Sequence, residues 1–272
     1  MELKFELTSG NLIEVSDVFI NDEGPFKFII DTGARVTSIP AELAEKLGLE
    51  TYNSASPYSK DLKLVHKAAR LERLKVGSEV FEDEEILVLD LTICCGAGVI
   101  GHTTLKHFKM SVDYDEKVVR LERPSEVSQD DDVDWIPLIY VDGSHLFEVP
   151  VTINDTGPHT FVMDTGAGGS AMDLETATSL GLSVKPVPGL IVRGLYGDNQ
   201  GSQTVVENVT IGHIDRESFP FITLPMNAVC GCGGTNSIAR NGIIGFDFLK
   251  GVELVIDYPG ERYAFIEKRE DN

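Results

Sequence analysis

Basic residues are scarce in this sequence. Its 272 residues include 23 Lys and Arg against 44 Asp and Glu, which gives a formal net charge of −21. Nucleic acids and anionic membranes are bound through clustered Lys and Arg, so this balance argues against both as partners. The acidic excess is typical of a solubilising surface.

Long apolar runs are also absent. No stretch of eighteen apolar residues occurs, so the sequence predicts no transmembrane helix. Residues 1–7 alternate charged and apolar side chains and contain no signal-peptide core. We therefore expect a first β-strand at this position and a cytoplasmic protein.

Cysteine is rare and comes in two close pairs, Cys94 with Cys95 and Cys230 with Cys232. In a cytoplasmic chain such cysteines are expected as reduced thiols rather than as a disulfide framework. Four thiolates can also hold zinc, but neither pair has the usual spacer of two to four residues. We therefore expect no bound metal and no cofactor.

An internal repeat organises the chain. Adding 133 to each residue number aligns residues 18–49 with residues 151–182 without gaps, and sixteen of the thirty-two positions are identical. Because this many identities are not expected by chance, the chain contains two copies of one unit. The match resumes later in each copy. Gly77 corresponds to Gly212 at an offset of 135, and at an offset of 144 Gly101 corresponds to Gly245 and Tyr114 to Tyr258.

The stretch between the copies, residues 125–134, is acidic, follows a proline and has the composition of a linker. We therefore predict an N-terminal copy at residues 1–124, a linker at residues 125–134 and a C-terminal copy at residues 135–272. Each copy shows short apolar strands separated by glycine-rich turns, and residues 40–48 predict a short helix between a proline and a glycine. The sequence thus predicts an all-β fold with a few short helices.

The same short motif occurs once in each copy. An apolar strand leads into Asp-Thr-Gly-Ala at residues 31–34 and 164–167, and a hydrophobic-hydrophobic-Gly element follows at Gly101 and Gly245. Two such copies resemble retropepsin-like aspartic peptidases over nearly the whole chain. The resemblance implies two retropepsin-like β-barrel lobes in a pseudo-twofold, pepsin-like arrangement, with Asp31 and Asp164 as the catalytic pair.

The chemistry of amide hydrolysis explains why two aspartates are needed. Without a metal or a covalent intermediate, one group must activate water while another protonates the carbonyl oxygen. Two carboxylates about 3 Å apart cannot both ionise, so they share a proton and divide these roles. We therefore expect an aspartic endopeptidase that acts on proteins or peptides. Because one chain supplies both halves, we expect a monomer, with a domain-swapped dimer as the alternative.

The resemblance also implies supporting roles. Thr32 and Thr165 would exchange hydrogen bonds across the pseudo-twofold axis, and Gly101 and Gly245 would lie beneath the two aspartate turns. The remaining predicted site residues are Gly33 and Gly166, which permit the sharp turns, and the candidate flap residues Tyr58, Gly194, Tyr196 and Gly197.

The two copies differ in the residues that follow Gly101 and Gly245. Residues 101–105 read Gly-His-Thr-Thr-Leu, whereas residues 245–249 read Gly-Phe-Asp-Phe-Leu, which is the usual family pattern. His102 either tunes the proton affinity of the aspartate pair or is a surface residue at a helix start, and the second interpretation is favoured. The two halves are therefore expected to contribute unequally to substrate binding.

Two alternative functions compete with peptide hydrolysis. Residues 96–101 match the dinucleotide fingerprint Gly-x-Gly-x-x-Gly, but the alternating strand-helix pattern that this fingerprint requires is lacking. The stronger alternative is a peptide-binding or scaffolding module that keeps the fold and cleaves little, because fold alone does not establish activity. Both aspartates and both threonines are present, which favours the enzyme.

Overall fold

The computed structural model describes residues 1–54, 66–91, 98–124, 133–141, 143–194, 197–226 and 241–267. The chain divides into two compact units, Met1–Pro137 together with Lys250–Asn272, and Leu138–Leu249. In the part of the chain that is described, none of the helices is long and apolar enough to cross a membrane.

The first unit is built mainly of strands. Its strands are β1 (Glu2–Leu7), β2 (Ile13–Ile20), β3 (Glu23–Ile30), β4 (Ser38–Pro40), β5 (Thr51–Asn53), β6 (Lys67–Val76), β7 (Glu79–Leu89), β8 (Gly98–Ile100), β9 (Lys109–Asp113), β10 (Val118–Glu122), β11 (Ile136–Pro137), β20 (Glu253–Asp257) and β21 (Arg262–Ile266). Its helices are α1 (Ala41–Lys46) and α2 (His102–Leu105). Six strands follow one another in the order β2-β3-β8-β4-β7-β6, and β6 pairs back with β2, which closes a barrel.

The second unit repeats this barrel. Its strands are β12 (Ile139–Tyr140), β13 (Phe147–Ile153), β14 (Thr156–Met163), β15 (Ala171–Asp173), β16 (Lys185–Gly194), β17 (Gly197–Ile211), β18 (Ile214–Leu224) and β19 (Gly242–Ile244), and its helices are α3 (Leu174–Ser179) and α4 (Phe246–Leu249). The order β13-β14-β19-β15-β18-β17 closes through the pairing of β17 with β13. The predicted all-β class with two barrels is confirmed.

Local sequence explains the first hairpin of each barrel. Asn154 and Asp155 adopt positive φ angles of 46° and 60°, as asparagine and aspartate do readily in tight hairpin turns. The Asn154 side chain then accepts hydrogen bonds from the backbone of Glu207 and Asn208, at 2.8 and 3.2 Å, which ties the turn to β17. Asn21 repeats this role in the first barrel by accepting from the backbone of Arg73 at 3.0 Å. In the second barrel only Asn154 and Asp155 separate the two strands, because β13 ends at Ile153 and β14 begins at Thr156.

A second sheet in the first unit joins strands of both repeat copies. Its order is β11-β21-β20-β9-β10-β1, so the hairpin of β20 and β21, from the end of the chain, pairs with β9 of the N-terminal copy. The compact units therefore divide the chain differently from the repeat, which assigns residues 250–272 to the C-terminal copy. The predicted linker falls mostly on residues 125–132, which lie outside the described residues.

Candidate active site

Asp31 stands immediately after β3, at the end of a parallel strand pair in the middle of the first barrel. The pair places Ile30 beside Ile100 of β8, and the backbone N–H of Asp31 donates to the Ile100 carbonyl at 3.1 Å. The buried strand thus ends at a half-exposed carboxyl group whose backbone is fixed by the neighbouring strand.

The turn after Asp31 folds around its own side chain. One carboxyl oxygen of Asp31, Oδ1, accepts hydrogen bonds from the backbone N–H groups of Gly33 at 2.8 Å and Ala34 at 2.9 Å. Such N–H donors hold the carboxyl in one orientation and stabilise negative charge on it. Thr32, which lies between Asp31 and Gly33 in the sequence, is buried with 3% exposure, so the turn is anchored in the barrel.

Asp164 occupies the same position in the second barrel. It follows β14, and its backbone N–H donates to the Ile244 carbonyl of β19 at 3.0 Å. Its Oδ1 accepts from the backbone N–H of Gly166 at 2.7 Å. Thr165 is buried with 1% exposure. Each predicted catalytic aspartate therefore lies half-exposed in a turn of the same construction. The exchange of hydrogen bonds between Thr32 and Thr165 stays a prediction.

Gly101 and Gly245 lie beneath the two turns, as predicted. A β-carbon on Gly101 would stand 2.8 Å from the Ala34 carbonyl oxygen and 2.9 Å from the Val36 carbonyl carbon. A β-carbon on Gly245 would stand 2.6 Å from the carbonyl oxygen of Ala167. Real β-carbons do not approach backbone atoms this closely, so each turn packs on a position that only glycine can fill.

Hydroxyl groups support the first turn from below. The Thr37 side chain shares a hydrogen bond of 2.7 Å with the Thr104 hydroxyl and accepts from the Gly101 backbone N–H at 3.1 Å. The Thr37 backbone N–H donates to the Thr103 hydroxyl at 3.1 Å. These groups are neutral, and they join the end of the Asp31 turn to α2.

A carboxyl group takes part in the corresponding network of the second unit. Ser170, which is equivalent to Thr37, donates its backbone N–H to Asp247 Oδ1 at 2.7 Å and its hydroxyl to the same oxygen at 2.5 Å. The Ser170 hydroxyl accepts from the Gly245 backbone N–H at 3.0 Å. Burial raises the pKa of Asp247, while the hydrogen bonds from Ser170 act in the opposite direction. The sequence displayed Asp247 in the family pattern at residues 245–249, but its role was not predicted.

His102 was predicted as a surface residue at the start of a helix, and the structure differs from this in one respect. It begins α2, as predicted, but its side chain is half-buried rather than on the surface, with its ring against Tyr258 at 5.3 Å between centroids. Burial, followed by the charges of Lys106 and Arg35, lowers the pKa of His102 to about 4. The ring is therefore neutral at neutral pH, and its backbone N–H donates to the Ala34 carbonyl of the Asp31 turn at 2.8 Å.

The candidate flap of the second unit is a hairpin. Gly194 ends β16 and pairs with Gly197, which begins β17, so only residues 195 and 196 connect the two strands. The side chain of Val192, near this tip, packs against the apolar cluster that includes Val162 and Leu224. Tyr58 and Tyr196 lie outside the described residues, and the role of the hairpin as a flap stays a prediction.

The cysteine pairs, Cys94 with Cys95 and Cys230 with Cys232, also lie outside the described residues, so the expectation of no metal stays a prediction. Among the residues that are described, no group of three or more His, Cys, Asp and Glu side chains is placed to hold a metal ion.

Comparison with known families agrees with the repeat. Residues 16–107 match the family model of gag-polyprotein aspartyl proteases, and residues 149–248 match a family model described as aspartyl protease. Each match contains one Asp-Thr-Gly turn and the glycine beneath it. A comparison of the whole chain with curated proteins returned no match.

Proposed function

We propose that this chain, which belongs to the retropepsin-like aspartic peptidases through both of its halves, is an endopeptidase that uses Asp31 and Asp164 as its catalytic pair. The observation that carries the proposal is the duplication of one turn. Each aspartate follows a buried strand and accepts backbone hydrogen bonds within an Asp-Thr-Gly turn that packs on a glycine.

The chemistry follows from two carboxyl groups that share one proton. The ionised carboxylate takes a proton from water while the water oxygen attacks the carbonyl carbon of the substrate. The protonated carboxyl group gives its proton to the carbonyl oxygen, so a tetrahedral diol forms. Collapse of the diol breaks the carbon–nitrogen bond: the proton that the first carboxylate took from water passes to the leaving nitrogen, and one hydroxyl group of the diol returns a proton to the second carboxyl group.

The expected partners are protein or peptide substrates, in keeping with the family. The alternative is a module that binds peptides and does not cleave them. The half-exposed carboxyl groups and intact turns support the enzyme, because a module that only binds does not need two acidic groups of this geometry. We also propose a cytoplasmic location, which fluorescence microscopy of the tagged chain would test.

Cleavage of a peptide library, read by mass spectrometry, tests the proposal. We expect products from the native chain that disappear with pepstatin and in the Asp31→Asn and Asp164→Asn variants. Peptides that are retained on the immobilised protein but stay uncleaved over pH 3–8 would favour the binding module instead.

A further inference from the structure

The helix beneath the first Asp-Thr-Gly turn carries titratable side chains that the second copy lacks at the same positions. Two histidines, His102 and His107, stand at the start of α2 and just after its end. At the offset of 144, the equivalent residues of the second copy are Phe246 for His102, Gly251 for His107 and Lys250 for Lys106. The support of the first turn can therefore gain positive charge in acid at two positions where the second copy cannot.

The backbone of α2 is bonded directly to the Asp31 turn. The N–H of His102 donates to the Ala34 carbonyl at 2.8 Å, and the N–H of Thr103 donates to the Arg35 carbonyl at 3.1 Å. Ala34 in turn donates its own N–H to Asp31 Oδ1 at 2.9 Å. Because a single residue connects the helix start to the Asp31 carboxyl group, a displacement of α2 also moves the groups that orient Asp31.

The His102 ring lies in surroundings that disfavour its charged form. It is half-buried and meets the Tyr258 ring edge to face, at 5.3 Å between centroids. Burial lowers the pKa of His102 to about 4, and the charges of Lys106, Arg35 and His107 act in the same direction. A proton on this ring would therefore add a positive charge to a cluster that already contains two permanent ones.

Other charged groups face this cluster from neighbouring strands. Partial burial, followed by the charges of Lys106 and Arg123, lowers the pKa of His107. Arg123 follows β10 and is itself paired with Glu79 of β7 at 2.6 Å. Glu84 of β7 interacts with Lys106, so this carboxyl group is the acidic neighbour that offsets the lysine at neutral pH.

Glu84 titrates with the opposite sign. Burial raises the pKa of Glu84 and the charge of Asp83 adds to the rise, against the opposing charges of Lys106 and Arg70. Arg70 and Asp83 are themselves an exposed ion pair at 2.9 Å. Protonation of Glu84 alone therefore favours the folded chain. Once protonated, however, Glu84 no longer offsets Lys106, so the positive charge around His102 is greatest in acid.

From this cluster we propose that α2, together with Lys106 and His107, is an acid-sensitive support that holds the Asp31 turn at neutral pH, releases it in acid and so sets the acid limit of cleavage. Opening of the segment exposes His102 to water, where the ring accepts a proton more readily. The stability that neutral His102 gives to the support is present above about pH 6.5 and is lost as the pH falls towards 4. The effect on cleavage rests on the proposed function, whereas the opening itself does not.

The second turn should not open in this way. Its supporting carboxyl group, Asp247, has a raised pKa, so acid favours the folded form there. The two equivalent supports therefore respond to acid with opposite sign, and each serves as the internal control for the other.

Amide hydrogen exchange read by mass spectrometry tests the opening on the native full chain without substrate. Residues 99–108 and the equivalent residues 243–252 are compared at pH 7 and pH 5, after correction for the intrinsic pH dependence of exchange. We expect protection of residues 99–108 to fall by roughly tenfold at pH 5, the effect of one partly exposed histidine whose pKa differs between the folded and open forms. Residues 243–252 should keep their protection.

A double variant shows whether the histidines cause the opening. His102→Phe with His107→Gln removes both titrating groups, so protection of residues 99–108 should no longer fall at pH 5. The ratio of peptide cleavage at pH 5 to that at pH 7 should also be higher than in the native chain. His213→Gln is the matched control, because His213 is exposed between β17 and β18, and both measurements should follow the native chain.

Equal protection of residues 99–108 at the two pH values would overturn the inference. A double variant whose cleavage declines in acid as steeply as that of the native chain would overturn it as well. The exchange comparison on the native chain needs no variant, so it decides the question even where the double variant does not fold. A chain that cleaves no peptide at either pH refutes the proposed function instead, while hydrogen exchange still shows whether the support opens.

Discussion

Ser111 and Val255 lie opposite each other in the antiparallel pair of β9 and β20. They are also equivalent positions of the two repeat copies, since 255 − 111 = 144, the offset that aligns Gly101 with Gly245. On either side of them the register stays symmetric, with Lys109 opposite Asp257. A local twofold axis therefore passes between Ser111 and Val255, and the sheet of the first unit is built around the symmetry of the repeat.

Replacing either aspartate tests the catalytic pair. Asp31→Asn and Asp164→Asn should each reduce kcat by about 10³-fold or more, because neither carboxyl group can act as both acid and base. The melting temperature should change little, since asparagine can still accept the backbone hydrogen bonds of the turn. Turnover of a fluorogenic peptide and thermal melting of both variants measure the two effects. Substantial turnover by either single variant would contradict a shared pair.

Asp247 should stabilise the second unit through its hydrogen bonds rather than through its charge. Asp247→Ala leaves the backbone N–H and the hydroxyl of Ser170 without their acceptor, so the free energy of unfolding should fall by roughly 2 to 4 kcal/mol. Asp247→Asn keeps an acceptor oxygen and should lose less than half of that. Urea unfolding at pH 7 compares the two variants, and equal losses would show that the charge itself matters.

The same residue should make stability depend on pH. Burial raises the pKa of Asp247 in the folded state above its unfolded value, so the folded chain binds the proton more tightly. The contribution of protonated Asp247 to the free energy of unfolding is therefore present at low pH and is lost as the pH rises through the pKa of Asp247 in the folded state. Compared with Asp247→Asn, the native chain should lose stability as the pH rises from acidic to neutral. A difference between the two chains that stays constant with pH would contradict this linkage.

His102 should have the opposite effect on the acid side. Its pKa falls from 6.5 to about 4, so protonation favours the unfolded chain, and stability is lost as the pH falls from about 6.5 towards 4. His102→Phe copies the residue of the second copy, Phe246, and removes the titrating group. At pH 4 the free energy of unfolding of the variant should exceed that of the native chain by on the order of 1 to 2 kcal/mol, after allowance for the partial exposure of His102. Urea unfolding at pH 4 and pH 7 measures the gain, which should vanish at pH 7 apart from a constant packing term.

Gly101 tests the packing beneath the first turn. In Gly101→Ala the added β-carbon meets backbone atoms of Ala34 and Val36, which cannot rotate away, so the free energy of unfolding should fall by about 1 to 3 kcal/mol. A displaced turn moves Asp31, and a shift of about 1 Å costs on the order of 10²-fold in rate. Gly10→Ala is the matched control, since its β-carbon would find its nearest neighbour at 3.7 Å. Similar losses in both variants would mean that the effect is not specific to the turn.

The repeat predicted the parts of the fold that depend on local pattern. The two barrels, the hairpin turn at Asn154 and the glycines beneath the aspartates all follow from short motifs that occur twice. The pairing of β20 with β9 could not be predicted in this way, because strands about 140 residues apart in the sequence carry no local signal of their partner. The link from Ser170 to Asp247 was missed for the same reason, as it joins a loop to a helix 77 residues later.

Assembly provides the last prediction. The C-terminal hairpin of β20 and β21 pairs with β9 in the same chain, so the two repeat copies are already joined in one sheet. Pairing within a chain has a high effective concentration and should prevail over exchange with a second chain. We therefore expect specific activity to stay constant on dilution through the nanomolar range, with a monomer in sedimentation. In a domain-swapped dimer, β20 of one chain would pair with β9 of another. Activity that falls on dilution together with a monomer–dimer transition would establish the swapped form, and a chain truncated after Leu249 would then lose both the dimer and the activity.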